Sequence, residues 1–501
     1  MDANMAFTGM ILTPLAAAPL IYLVGRVQVR TSGKAWLARW LSLVSLLVTG
    51  GFLYIGARTF QAGVTPGFME GAVKLELDGI GLLLAAVAIL LGLLAVLFSF
   101  AYMNREEGEE KFFALLTVMI GTMIGLGCTR DLFNLWVWFE AMAISSYMLV
   151  AFYRLQPASL EAGVKYLVQS AAGSTMVVLG IALVYGHTGA LEFSAIHAAA
   201  AAGDNWLLAA GALFVIGFGV KAALVPLHTW LPDAHSQAPS GISAMLSGVV
   251  IEAGLVAMLR TLGALANVTP VWGAILMAAG AVNMLAGNLM ALRQKQVKRL
   301  LAYSSLSQVG YMLTGLGVAI QYGIQNGAGG AFFHLFTHAM SKGLAFFAVG
   351  ALMYGLLMTK GSHRALEVDD LNGVSRRYPG TAFVLSVALL SLGGLPPLAG
   401  FMSKWQIFVA GFQAGQWPAI ALVIFAAINS VLSLGYYAPL VNRIYRHKPN
   451  EIVLQGSRIP AAMIISMSVA CIVIIVLGIW PSLLNCLFDP AAASLLAAFG
   501  F

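Results

Sequence analysis

Five ionisable side chains interrupt long apolar stretches of this 501-residue sequence, and they are the residues best suited to do chemistry. They are Glu140, Lys221, Glu252, Lys342 and Lys404. Within a bilayer, such a group costs at least ~2.5–3.5 kcal/mol on insertion scales, so each is a candidate functional residue. Burial pushes a carboxylate toward its neutral form and a nearby amine pulls it back, which is the behaviour that proton transfer requires.

Glu140 is predicted to pair with Lys221, and a static ion pair that ties two helices together is the alternative. His334, His338 and Lys342 have i, i+4, i+8 spacing, so they share one stripe of a helix. Histidine titrates near neutral pH, and the stripe therefore suits a proton path. A zinc site would need further ligands, and none is evident.

Other polar residues are weaker candidates. His228 and His235 follow a proline-interrupted apolar run. Serine, tyrosine and amide side chains could hold ordered water, although interhelical hydrogen bonding is the more ordinary role. These side chains are Asn283, Asn288, Tyr303, Ser304, Ser305, Ser307 and Gln308.

The composition indicates the solvent that surrounds this chain. Of its residues 60% are apolar and 9% are charged, against roughly 25% charged in soluble domains. A soluble enzyme, a nucleic-acid-binding protein and a disordered chain are therefore excluded. The three cysteines, Cys128, Cys471 and Cys486, form no metal-binding or disulfide pattern. We predict a polytopic membrane protein that carries no cofactor.

A window of about 20 residues, the length that crosses a bilayer, predicts an all-α fold of about fourteen transmembrane helices. The first run lacks the charge and cleavage site of a signal peptide, so it is interpreted as a retained span. The predicted spans are 5–25, 36–57, 78–102, 112–128, 132–153, 163–186, 206–231, 240–260, 269–291, 300–319, 327–357, 380–412, 418–442 and 459–483.

Basic residues give the predicted orientation. Loops after odd-numbered spans hold 20 of the 27 Lys and Arg, and loops after even-numbered spans hold four. Cytoplasmic loops are enriched in Lys and Arg. We therefore predict that both termini lie on the non-cytoplasmic side of the membrane.

Two spans contain residues that break a helix. Pro226 lies in the seventh span, five residues after Lys221. The twelfth span contains Gly393, Gly394, Pro396 and Pro397, shortly before Lys404. Non-helical backbone at membrane depth is tolerated only where protein or water surrounds it. Kinks that merely shape packing are the alternative.

Paired interrupted helices in the two halves of a chain are typical of transport sites built from inverted repeats. We therefore predict two inverted five-helix repeats with discontinuous helices 7 and 12. The predicted units are three N-terminal helices in 1–110, a first repeat in 111–265, a second repeat in 266–442, and a C-terminal helix and tail in 443–501.

Three segments resemble one known family. They are KAALVPLHTWLPDAHSQAPSGISAML at 221–246, QKQVKRLLAYSSLSQVGYM at 294–312 and GGLPPLAGFMSKW at 393–405. They are similar to signatures of the antiporter-like, proton-translocating subunits of respiratory complex I. The same subunit type occurs in Mrp antiporters and membrane-bound hydrogenases. The resemblance covers roughly residues 110–440 and implies the fourteen-helix fold.

The resemblance also implies roles for single residues. The family's essential glutamate falls on Glu140, its first lysine on Lys221 and its outlet-side lysine on Lys404. His334, His338 and Lys342 match a pattern kept in certain members. Glu252 departs, because most members have a lysine there, and this reversal bears on the proton path and on the coupling ion. We expect Glu252 to be a titrating relay, with a static ion pair to Lys221 as the alternative.

The leading hypothesis is a proton-translocating subunit of a redox-driven, complex I-like assembly, of the NADH:quinone oxidoreductase or membrane-bound hydrogenase type. Redox chemistry would then lie in partner chains. A subunit of an Mrp-type Na⁺/H⁺ antiporter is the second hypothesis, and a structural membrane anchor is the third. The expected partners are other membrane subunits, including further antiporter-like ones, together with lipid, H⁺ and, as the alternative ion, Na⁺. No nucleic acid is expected.

Overall fold

The computed structural model describes residues 2–71, 73–104 and 106–501. Arg105, one of the basic residues counted for the orientation, lies outside these ranges. Almost all of the described chain is helical, because its long apolar runs satisfy their backbone hydrogen bonds internally. The N-terminal part comprises α1 (Ala3–Ser32), α2 (Trp36–Gln61), a hairpin of β1 (Gly67–Glu70) and β2 (Val73–Glu76), and α3 (Gly79–Tyr102).

The next part of the chain contains one interrupted helix pair and one π turn. Its elements are α4 (Glu109–Gly127), α5 (Leu132–Val150), α6 (Pro157–Thr188), α7 (Phe193–Ala199), α8 (Asn205–Lys221), α9 (Trp230–Gln237), α10 (Ser240–Met245), the π turn (Leu246–Val250) and α11 (Ile251–Ala264).

A second interrupted pair follows. The remaining elements are α12 (Trp272–Ala291), α13 (Val297–Tyr322), α14 (Gln325–Leu356), α15 (Pro379–Gly393), α16 (Ala399–Gln413), α17 (Trp417–Arg446), α18 (Glu451–Leu454), α19 (Ala461–Ile479) and α20 (Asn485–Ala498). Eleven helical segments of the described chain are long and apolar enough to cross a membrane, and α8 and α15 are shorter apolar helices.

The core is centred on α14, which is buried over nearly its whole length and packs against α3, α13, α15, α16, α19 and α20. Glycines in α14 and in the π turn allow both segments to pack closely against α3. A Cβ at Gly343 would lie 2.4 Å from the Leu91 side chain, and one at Gly248 would lie 2.6 Å from it. Leu91 therefore fills the space between α14 and the π turn.

Backbone groups freed at the first break are bonded by a side chain of α12. The Val225 amide donates to Asn283 Oδ1 at 2.8 Å, and Asn283 Nδ2 donates to the Ala223 carbonyl at 3.2 Å. The second break is closed by packing, since a Cβ at Gly478 of α19 would lie 1.9 Å from the Pro397 carbonyl oxygen. Both non-helical segments thus have contacts within the protein that hold their backbone, while Pro226, Pro396 and Pro397 are themselves exposed.

Two of the basic residues included in the loop counts above, Arg260 and Lys298, are buried instead. Arg260 lies within α11 and donates to both oxygens of Asp78, at 2.8 and 2.9 Å, while Arg130 contacts Asp78 at 3.3 Å. Lys298, in the first turn of α13, donates to the Ala238 carbonyl at 2.8 Å. Charges at span ends can be held by groups from distant segments, so sequence position alone assigned these two wrongly.

Candidate functional site

Lys221 ends α8 inside an aromatic cage. Its Nζ donates to Tyr166 Oη at 2.9 Å and to Ser170 Oγ at 3.2 Å. The ammonium position lies 4.5 Å from the Tyr166 ring centroid, 5.5 Å from that of Phe139 and 5.9 Å from that of Trp230. Aromatic faces and hydroxyl oxygens attract a cation, so this cage supports a charged lysine without a carboxylate in contact.

Glu140 does not form the direct ion pair with Lys221 that the sequence suggested, since no contact between them lies within the 4.0 Å of a salt bridge. The reason is helical phase. Phe139 faces the lysine, and the next residue of an α-helix points about 100° away. Glu140 is half-buried, and within the described chain its Oε1 has no hydrogen-bond partner. The two groups are therefore neighbours without direct contact.

Glu252 is bonded to a histidine from the other half of the chain. Its Oε1 lies 2.8 Å from His338 Nδ1, and both side chains are 0% exposed. This bond joins α11 to α14, and the alternative ion pair with Lys221 is not formed. Oε2 of Glu252 and Nε2 of His338 have no partner among the described residues. Each group therefore has one bonded atom and one atom open to a second proton carrier.

A series of neighbouring polar groups leads from His338 toward the second break. The rings of His338 and His334 are 6.4 Å apart. His334 Nε2 lies 3.1 Å from Gln308 Oε1, and Gln308 Nε2 donates to the Leu392 carbonyl at 3.1 Å. Lys404 Nζ donates to the same carbonyl at 2.8 Å. The histidine stripe and Lys404 are thus connected through one amide side chain and one backbone oxygen at the break.

Lys404 lies in the first turns of α16 and mirrors the setting of Lys221. Its Nζ donates to Ser430 Oγ at 3.1 Å and lies 4.3 Å from the Tyr311 ring centroid. Lys342 is turned away from the histidines toward α13, where it donates to the Leu301 carbonyl at 2.6 Å and to Ser304 Oγ at 2.5 Å. Both lysines are buried and are held by neutral oxygens.

The two weaker candidates lie outside these contacts. His228 is buried beside the first break, with its ring 6.4 Å from that of Tyr303. His235 is fully buried and stacks on Phe346 at 4.8 Å, and neither of its ring nitrogens has a partner among the described residues. No hydrogen bond joins either histidine to Lys221 or Glu252 in the described chain.

Several contact residues were not singled out from the sequence. Tyr166 and Ser170 hold Lys221, Ser403 lies 2.9 Å from His334 Nδ1, and Tyr311 and Ser430 hold Lys404. One signal was available. Tyr166 and Ser170 are four residues apart in an apolar span, which places two hydroxyls on one helix face.

The fold and the site define an integral membrane protein with a buried row of ionisable groups between two interrupted helices. The chain belongs to the NADH:quinone oxidoreductase/Mrp antiporter transmembrane family, whose model matches residues 129–432. A further model, for the N-terminus of chain 5 of NADH-ubiquinone oxidoreductase (complex I), matches residues 65–113. The family resemblance inferred from the three sequence motifs is therefore confirmed.

Several proteins of known type are similar to this chain over most of its length. NADH-quinone oxidoreductase subunit N of Geobacter metallireducens is 36% identical over 399 residues, which are 78% of this chain and 79% of that protein. A chain of the membrane-bound sulfane sulfur reductase, an archaeal respiratory membrane complex, is 28% identical, with a TM-score of 0.85 and coverage of 98% of this chain and 99% of that one. A chain of the Mrp complex from Dietzia sp. has the same fold, with a TM-score of 0.84 over the full length of both chains and 23% identity.

Proposed function

We propose that this chain is a proton-translocating membrane subunit of a redox-driven, complex I-like assembly of the NADH:quinone oxidoreductase or membrane-bound hydrogenase type. The observation that carries this proposal is the buried bond between Glu252 and His338. It lies between α8, which ends at Lys221 and packs against α11, and the contacts that end at Lys404, and both of its groups can gain or lose a proton. An entirely structural contact would not need two titratable partners, each with an atom left open.

The proposed path runs through Glu140, Lys221, Glu252, the histidine stripe and Lys404. Buried polar atoms without a protein partner are ordinarily satisfied by ordered water, and water would bridge the longer steps of this path. Proton movement then alternates the charge on neighbouring groups, since a charge on one disfavours a like charge on the next. Lys342 would act beside the path through Ser304, and His228 and His235 are proposed as secondary members.

We also propose that the fold comprises about fourteen transmembrane helices with two inverted five-helix repeats in 111–265 and 266–442. Backbone pairing supports this. At the first residue of α5, the Leu132 amide donates to the Leu191 carbonyl at 2.9 Å. At the first residue of α13, the Val297 amide donates to the Leu366 carbonyl at 3.0 Å. Each bond links the start of one long helix to the segment after the next helix. Corresponding bonds in the two halves are expected of a repeat.

Partner chains would supply the redox chemistry, because the proposed path needs only groups that this chain already has. We propose that no cofactor is bound here. The partners would be other membrane subunits, including further antiporter-like ones, in the cell's inner, energy-transducing membrane. H⁺ is the proposed ion. Na⁺ is the alternative, because Glu252 places a carboxylate where most members of the family have a lysine.

A subunit of an Mrp-type Na⁺/H⁺ antiporter is the second candidate function, and the shared fold with the Dietzia chain favours it. The two candidates differ in the energy source. A redox-driven subunit moves protons only while electrons flow, whereas an antiporter uses the downhill movement of one ion to drive the other against its gradient. The sequence identity to the Geobacter subunit favours the redox-driven assembly.

The proposed function predicts proton uptake or release that is coupled to electron transfer. The intact complex, purified through a tag on this chain and reconstituted into vesicles, should acidify or alkalinise the lumen when supplied with reductant and acceptor. A protonophore should abolish the signal. Co-purifying redox subunits identified by mass spectrometry support the proposal, while Na⁺-driven proton exchange without any redox subunit would contradict it.

Orientation is a separate prediction, based on the distribution of basic residues. With the exposed Cys486 replaced by serine, Ser375→Cys should react with a membrane-impermeant maleimide only after the cells are opened. Ala202→Cys, in the loop between α7 and α8, should react in intact cells, because that loop is predicted to be outside. Labelling of Ser375→Cys in intact cells would contradict the predicted orientation and indicate the opposite one.

A further inference from the structure

A groove lies between the N-terminal end of α15 and the flank of α19, away from the ionisable row. It encloses about 690 Å³ and opens to the outside of the helix bundle. At one end it is lined by Arg377 and Arg458, and along its length by apolar side chains such as Phe383, Ile464 and Ile472. A charged mouth with an apolar wall matches an amphiphile rather than a polar metabolite.

The mouth of the groove can bind an anion. Arg458 is exposed and has no hydrogen-bond or ion-pair partner among the described residues. Arg377 donates to the Gly456 carbonyl at 3.1 Å and also interacts with the Tyr378 side chain, and no carboxylate pairs with it in the described chain. The amides of Gly380 and Thr381, in the first turn of α15, have no acceptor in the described chain. Free amides at a helix N-terminus favour negative charge. The groove lining contains no Asp or Glu.

The apolar wall has the length of an acyl chain. Ile464, Ser468 and Ile472 follow i, i+4, i+8 spacing along α19, as do Met467, Cys471 and Ile475 beside them. From Ile464 to Ile475 the helix rises about 17 Å, which is slightly more than half of the ~30 Å hydrocarbon core. Phe383 and Ile472 are 53% and 59% exposed, so the wall faces whatever surrounds the bundle.

We propose that this groove is a binding site for one anionic glycerophospholipid. Its phosphate would lie against Arg377, Arg458 and the free amides of α15, and its acyl chains would lie along α19. A zwitterionic lipid fits less well, because its cationic headgroup would meet two arginines and no carboxylate. In the proposed orientation, the bound phosphate would lie in the cytoplasmic leaflet of the membrane. The site is independent of the proposed proton path.

The test counts lipids on the purified complex. The complex is delipidated, transferred to nanodiscs that contain phosphatidylglycerol and phosphatidylcholine in equal amounts, and examined by native mass spectrometry. The wild-type complex should retain phosphatidylglycerol in preference to phosphatidylcholine. The double variant Arg377→Gln/Arg458→Gln should bind it about 30-fold more weakly, as expected for two basic residues near a membrane surface.

Matched variants separate the groove from general surface charge. Arg446→Gln/Lys448→Gln removes two exposed charges from the same end of the bundle and should leave lipid retention unchanged. Ser468→Trp fills the groove and should release the lipid while the arginines remain. Equal retention of both lipids, or equal loss in the control, would overturn the proposal. So would cross-linking of Ser468→Cys to another subunit, since a protein would then occupy the groove.

Discussion

Glu252→Gln is expected to reduce proton translocation through this chain by at least about a hundredfold, while assembly and electron transfer to an added acceptor are kept. Glutamine is nearly isosteric and still bonds to His338, so packing is preserved and only the titratable proton is lost. Pumping by reconstituted wild-type and variant complexes, measured from pH 6 to 8, tests this expectation. Glu252→Lys should retain part of the activity, because a lysine amine can donate to a neutral His338 Nδ1.

A matched control is available for this experiment. Glu107→Gln makes the same chemical change at an exposed carboxylate between α3 and α4, and it should pump at the wild-type rate. Pumping by Glu252→Gln that equals the control over the whole pH range would contradict a relay at this position. The proton would then have to pass α11 through water alone.

Lys221→Met is expected to slow proton transfer through this chain by at least about a hundredfold, and so to lower the number of protons that the complex moves per electron. Methionine fills the aromatic cage but cannot carry a proton, and it leaves Tyr166 without its strongest donor. Glu140→Gln should have a similar effect, since it removes the nearest carboxylate while keeping the side chain's shape. The proton-to-electron ratio in sealed vesicles is the measurement that decides the matter.

Lys165→Met provides the comparison for the lysine variant. Lys165 is exposed on α6 and pairs with Glu161 at 2.7 Å and with Asp233 at 3.1 Å. A surface pair of this kind contributes little, so this variant should pump normally. If Lys221→Met retains the wild-type ratio, the cage is a structural feature and the path begins elsewhere.

Local chemistry explains what could be predicted from the sequence. The run containing Pro226 and the run containing Gly393 to Pro397 interrupt helices because proline lacks an amide donor and glycine tolerates positive φ. At the second break Gly394 has φ +78°. The apolar runs coincide with helices because a helix satisfies its backbone hydrogen bonds within the same segment. These features need no knowledge of neighbouring segments.

Pairing between distant segments could not be predicted in the same way. His338 is 86 residues from Glu252 in sequence, and Asp78 is 182 residues from Arg260. Lys221 is the lysine that interacts electrostatically with Glu140, as expected, but the two form no direct salt bridge, because a rotation of one residue on α5 turns Phe139 toward the lysine instead. Helical phase relative to a neighbour depends on packing, which a single sequence does not specify.

A π turn changes which side chains of a helix share one face. In a regular α-helix, residues five apart differ by about 140° in direction. In the turn at Leu246–Val250 an amide bonds the carbonyl five residues earlier, so residues with this spacing point in more similar directions than in a regular α-helix. Ser247 and Glu252 have this spacing, and they contact Ser305 of α13 at 2.7 Å and His338 of α14 at 2.8 Å. The wider turn therefore keeps a hydroxyl and a carboxylate on the same side of the segment, where each reaches one of two adjacent helices of the second half of the chain.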